Sequence, residues 1–247
     1  MTGTFPSLRS PAVKAHRARS YRFRGGVARV AAWQGRSDVA SLSLHGPDAP
    51  SRSILSRMLD DLYDAGYRAV VTNAVGPAAS LPLADAGFAV QGRLHLLAHD
   101  LSGLDARSGR TRRESRADRP AVLATDAAAF DEFWRFDDIA LREAGRATPS
   151  AQMRVAPAGR HGGPFGYGLF GRAGATGYVQ RLAVAPAAQG NGFGRALLND
   201  GMRWMRTRRA HRAFVNTQED NDRALALYLR AGFRRLPDGL SVMGRDL

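Results

Sequence analysis

The chain has 247 residues, of which 44% are apolar, and a formal charge of +14. That length holds one large domain or two small ones around a real core, which excludes disorder throughout. With no cysteine, disulfides, thiolate metal sites and cysteine nucleophiles are excluded as well.

The positive charge points toward a nucleic-acid binder, because clustered cations release counterions from a phosphate backbone. Lys14 is the one lysine, however, and the arginines run from Arg9 to Arg245 without a basic, aromatic-laced motif. A GC-rich coding bias accounts for that pattern, so nucleic acid is not the expected partner. His95 and His99 have helical ligand spacing, but LHLLAHDL reads as a strand and no carboxylate completes a set, so no metal is expected. No run reaches the roughly 20 apolar residues that cross a bilayer, and the expectation is a soluble, cytoplasmic protein without membrane contact.

In chain order, residues 1–20 are basic, contain no acid, and read as a tail. Residues 21–101 predict a helix near Ser53 to Ala65, a strand near Ala69 to Asn73, and a weaker helix interrupted by Pro82. Residues 102–119 are charged, lack a hydrophobic period and read as a linker. A strand near Ala121 to Thr125 follows, then one or two helices through Phe130 to Arg146. Two strands, Met153 to Ala156 and Phe165 to Phe170, flank a turn at Pro157 to Pro164. A strand from Tyr178 to Ala185 leads into a glycine-rich turn and a helix from about Phe193 to Arg208, with one broad apolar face. The last elements are a strand, Ala213 to Thr217, and a helix, Asp222 to Ala231, stopped by Gly232.

The two halves repeat one pattern. Tyr67-Arg68-Ala69-Val70-Val71 matches His211-Arg212-Ala213-Phe214-Val215 in type. Ala86-Gly87-Phe88 matches Ala231-Gly232-Phe233, and Asp100-Leu101 matches Asp246-Leu247. Order and spacing agree, which predicts a duplicated unit.

The turn APAAQGNGFGRALL (Ala185 to Leu198) joins a strand to a helix. Unpaired N–H groups at such a helix start sit beside the positive end of its dipole, and glycines allow close approach by an anion. The spacing is neither a Walker loop nor the dinucleotide fingerprint. It resembles the Gln/Arg-x-x-Gly-x-Gly/Ala signature of the GNAT acetyltransferases, here Gln189-x-x-Gly192-x-Gly194. The strand Gln180 to Pro186 resembles that family's fourth strand, and Asn221, Ala224, Tyr228 and Gly232-Phe233 resemble its late signature.

The resemblance implies an α+β fold: a mixed, mostly antiparallel sheet flanked by helices, in two copies. The copy at 21–101 would be degenerate and partial, and the copy at 120–247 complete and catalytic. It further implies acetyl-CoA bound between the fourth and fifth strands. The backbone of Leu182, Ala183 and Val184 would run along the pantetheine arm. N–H groups of Gln189, Gly190, Asn191, Gly192, Phe193, Gly194 and Arg195 would hold the pyrophosphate. Asn221 would hold the cofactor or its adjoining loop, and Tyr228 would protonate the leaving thiolate.

The pattern has gaps. Relatives carry a glutamate base where this chain has Thr176, Gly177 and Tyr178. Glu132, Asp137, Asp138, Glu143, Glu219 and Asp220 are carboxylates elsewhere, and none stands out as a base. In the first half His45-Gly46-Pro47-Asp48-Ala49-Pro50-Ser51 replaces the glycine turn, and Leu83 takes the place of Tyr228. The expected function is acetyl transfer to a primary amine of a small molecule or protein, by a monomer forming an internal pseudo-dimer or by a homodimer. The alternatives are a noncatalytic acyl-CoA sensor and, third, a nucleic-acid binder.

Overall fold

The computed structural model describes residues 19–34, 36–46, 48–106, 109–157 and 163–247. They divide into two units, one of residues up to His95 together with Pro237–Leu247, the other Leu96–Leu236. The expected basic tail lies outside the described residues except for Arg19 and Ser20, which already belong to a strand. No helix among the described residues is long and apolar enough to cross a membrane.

Unit 1 opens with an antiparallel meander of β1 (Arg19–Phe23), β2 (Gly26–Trp33) and β3 (Arg36–His45). Helix α1 (Arg52–Asp64) returns the chain so that β4 (Ala69–Thr72) pairs parallel to β3. Its buried residues, Leu55, Met58, Leu59 and Leu62, fall at helical spacing and face a wholly apolar cluster that includes Val30, Ala40, Leu42 and Val70. Each such Leu or Met stabilises the fold by about 2 kcal/mol. The expected helix is present as α2 (Pro77–Asp85), but it runs through Pro82 rather than being interrupted there, and it fully buries Leu83. Strand β5 (Ala89–His99) begins in this unit. The chain's last strand, β12 (Leu240–Asp246), pairs antiparallel with both β4 and β5. The expected repeat would place that strand with the second half of the sequence, and its partners are in the first.

Unit 2 contains the end of β5, β6 (Arg112–Arg113), α3 (Arg119–Ala129), α4 (Asp138–Arg146), β7 (Ser150–Ala156), β8 (Gly166–Ala173) and β9 (Thr176–Val184). After these come α5 (Phe193–Thr207), β10 (Arg212–Gln218), α6 (Asp222–Arg230) and β11 (Arg234–Arg235). Strands β6 to β9 form antiparallel pairs in sequence order, β9 pairs parallel with β10, and β11 pairs with the end of β5. The result is the expected mixed, mostly antiparallel sheet flanked by helices.

Two local expectations are corrected. Ala121 to Thr125 is not a strand but part of α3. Pro120 opens that helix, and the buried residues Val122, Thr125 and Asp126 recur at three and four, the helical period. The stretch 102–119 is not featureless. It carries β6, and Thr111 and Asp118 are buried in it. Asp118 accepts from both Nη atoms of Arg112 at 2.7 Å and from Ser115, so short-range charge pairing orders a segment that lacks hydrophobic period. The predicted turn between β7 and β8 lies mostly outside the described residues, although Phe165 N–H closes on Ala156 O at 2.8 Å.

Candidate functional site

The parallel ladder of β9 and β10 runs from Thr176↔Arg212 to Val179↔Val215 and stops there, although β9 continues to Val184 and β10 to Gln218. The cause is visible on the other edge of β9. Between Leu169↔Arg181 and Phe170↔Val179 the register skips Gln180, so β9 carries one extra residue, a bulge. A bulge bends its strand and sharpens its twist. Leu182, Ala183 and Val184 therefore keep their pairing to β8 while the strand edge toward β10 opens.

At the end of that edge the glycine turn enters α5. Gly190 and Gly192 have φ of +83° and +78°, a left-handed conformation that costs other L-residues free energy. Gly192 is the N-cap, and the first helical bond closes from Ala196 N–H to Gly192 O at 3.0 Å, so the N–H groups ahead of it have no intrahelical acceptor. No acid lies in the first turn. Gln189 folds back, its Nε2 donating to Val184 O at 3.0 Å, and Asn191 Nδ2 donates to Ala188 O and Gln189 O. These side chains brace the turn from within.

Arg195 does not stand alone at this place. Its Nη2 bonds Asp105 at 2.7 Å, and Asn199 and Arg203 donate to the same residue's carbonyl. A different cation, Arg110, donates to Asn191 O at 2.8 Å and stacks over the Phe193 ring at 4.4 Å. Its position in a stretch read as a linker hid it from the sequence reading.

Asn221 caps α6, its Oδ1 accepting from Ala224 N–H at 3.0 Å. Tyr228, on the same helix, is buried, its ring edge-on to Phe233 at 5.7 Å. Burial pushes its phenol above the usual tyrosine range, and the Arg181 charge pulls the other way. The group is thus held protonated.

The site also contains a buried cluster with no counterpart in the sequence reading. Asp126 is fully buried and accepts from Arg181 Nε and Nη2 at 2.7 and 2.8 Å, from Phe136 N–H at 2.7 Å and from Tyr167 Oη at 2.5 Å. The Arg181 guanidinium lies between the Phe130 and Phe136 rings, 3.5 and 4.0 Å from their centroids. Burial pushes the Tyr167 phenol up as well. A lone Asp in the apolar run AVLATDAAA and a lone Arg inside a strand were the available signals.

The six carboxylates weighed as bases are scattered. Glu132, Glu219 and Asp220 are exposed. Asp137 caps α4 through Ala140 N–H at 2.7 Å, and Asp138 is paired with Arg119 and Arg142. Burial, then the Asp137 charge, pushes the Glu143 carboxyl up.

Residues 119–233 match the family model described as Acetyltransferase (GNAT) family. Among named proteins, the chain is similar to the mycothiol acetyltransferases of Geodermatophilus obscurus and Saccharomonospora viridis. Identity is 32% over 141 residues and 36% over 135, covering 49% and 47% of this chain and 42% of each relative. The chain thus matches less than half the length of these relatives. A tandem GNAT protein from the clavulanic acid biosynthesis pathway superposes with a TM-score of 0.64 at 14% identity, covering 90% of this chain and 79% of that one. A GCN5-related N-acetyltransferase from Kribbella flavida gives 0.62 at 13% identity, covering 92% and 89%. At such identities these two speak for the fold alone.

Proposed function

We propose that the chain transfers an acetyl group from acetyl-CoA to a primary amine, with the chemistry in residues 120–247 and residues 21–101 a degenerate, noncatalytic copy. The observation that carries this is the opened edge of β9 ending on the glycine turn of α5. Left-handed backbone at Gly190 and Gly192 removes side chains where an anion would sit and presents N–H groups from Gln189 to Arg195. Arg110 adds a cation beside them. These residues fit a pyrophosphate.

Acetyl-CoA supplies the activated thioester carbonyl. The backbone of Leu182, Ala183 and Val184 aligns the pantetheine arm, and an N–H on this edge stabilises the oxyanion. Attack forms the C–N bond and breaks the C–S bond. Tyr228, held protonated by burial, gives its proton to the departing thiolate. Asn221 keeps the start of α6, and so Tyr228, in place. The amine's own proton leaves to water, since no carboxylate is committed to it.

The shared name of the relatives suggests the acceptor in mycothiol chemistry as one member of the amine panel. The test is release of free thiol from acetyl-CoA against that panel. Tyr228→Phe is expected to lower turnover about 100-fold with CoA affinity nearly unchanged. Equal turnover in the variant would remove the acid role. CoA binding without turnover on any amine would favour the sensor reading, toward which the missing base at Thr176 to Tyr178 points.

A further inference from the structure

Beyond the bulge, β9 lacks ladder pairing to β10, so its direction there depends on β8 and on side chains. The side chain that does most is Arg181, the first residue after the skipped Gln180. Its Nε and Nη2 reach α3 through Asp126, and Nη2 also donates to Trp134 O at 2.6 Å. Asp126 in turn holds Phe136 N–H and the Tyr167 hydroxyl of β8. Gln180 adds one more tie, donating from Nε2 to Ala144 O of α4 at 2.8 Å. One guanidinium and one carboxylate thereby connect α3, the turn at 130–137, β8 and β9.

Stability alone does not account for this arrangement. A buried ion pair is commonly no better for stability than apolar side chains of the same volume, because both charges must be desolvated. What the pair has that an apolar pair lacks is direction: a planar fork on a carboxylate fixes angle as well as distance. The angle fixed here is that of the strand edge at Leu182 to Val184 relative to the turn at 130–137.

We infer that Asp126 and Arg181 are a positioning couple that sets the reacting edge of β9 against the 130–137 turn. The inference rests on the acetyl-transfer reading above. Arg181 acts through the segments it ties together, α3, the 130–137 turn and β9.

The test compares Arg181→Lys and Arg181→Met with Tyr167→Phe, which weakens the same cluster without unseating the guanidinium. Acetyl-CoA Kd, acceptor KM, kcat and Tm are measured for each. Both Arg181 variants should lose about tenfold in kcat, while acetyl-CoA Kd, set mainly by the glycine turn, stays within about twofold. Tyr167→Phe should lower Tm and leave kcat and KM near wild type. Losses of kcat that follow Tm across all three variants would overturn the inference, as would full recovery by lysine. A wild-type chain that releases no thiol from acetyl-CoA with any amine of the panel would instead defeat the acetyl-transfer reading, and this assignment with it.

Discussion

The two units differ most in what they bury. Among the described residues, ten buried residues are polar or charged, and Thr72 is the one that belongs to unit 1. Its hydroxyl accepts from Met243 N–H at 2.9 Å, and the rest of that core is aliphatic and aromatic. Unit 2 buries Asp126 with Arg181, and Arg154 with Asp200 at 3.1 Å, the latter pair bridged by Thr111. The strand pairs differ in the same sense. β3 and β4 stay paired to the end of β4, and Asn73 N–H continues the ladder onto Leu42 O at 2.9 Å, whereas β9 and β10 part at Val179. A fully paired sheet is held by its own ladder and needs only apolar packing. An opened one must be held by side chains, and charged forks hold direction where aliphatic groups do not.

The comparison breaks hardest at Asp126. Replacing it with Asn leaves a buried guanidinium without its counter-charge, and unit 2 should lose about 3 to 5 kcal/mol in denaturant unfolding. A loss below 1 kcal/mol would mean that the cluster is not what holds the opened edge.

A smaller effect comes from pH. The Arg112 hydrogen bonds hold the Asp118 carboxyl well below the usual carboxylate range, against the opposing effect of burial, with Ser115 helping. The folded pKa is thus depressed below the roughly 3.9 of the unfolded chain. Its stabilisation is complete above that unfolded value and is lost as pH falls toward the folded one. Asp118→Asn should therefore lower Tm at neutral pH and flatten its decline below about pH 4. A parallel decline in both proteins would remove Asp118 from the account.

The backbone framework of the candidate site was legible in sequence in part, and the limits have physical causes. The glycine turn and α5 could be read because backbone freedom and helical period are local properties. The run Ala121 to Thr125 misled because four apolar residues and a threonine fit a strand or a helix equally, and Pro120 with the burial period of α3 decided it. Asp126 and Arg181 lie 55 residues apart, and nothing local in either announces the other. The pairing of β12 with β4 and β5 is likewise a matter of partner choice, which alternation within one strand cannot express.

The proposed acetyl transfer requires one CoA per chain, on the turn before α5. Calorimetry with acetyl-CoA, on the wild type and on Gly190→Pro/Gly192→Pro, tests it most directly. Proline requires φ near −65°, whereas these positions have +83° and +78°. The account predicts a single site in the wild type and its loss in the double variant. Two sites per chain, or an unchanged affinity in the variant, would contradict it.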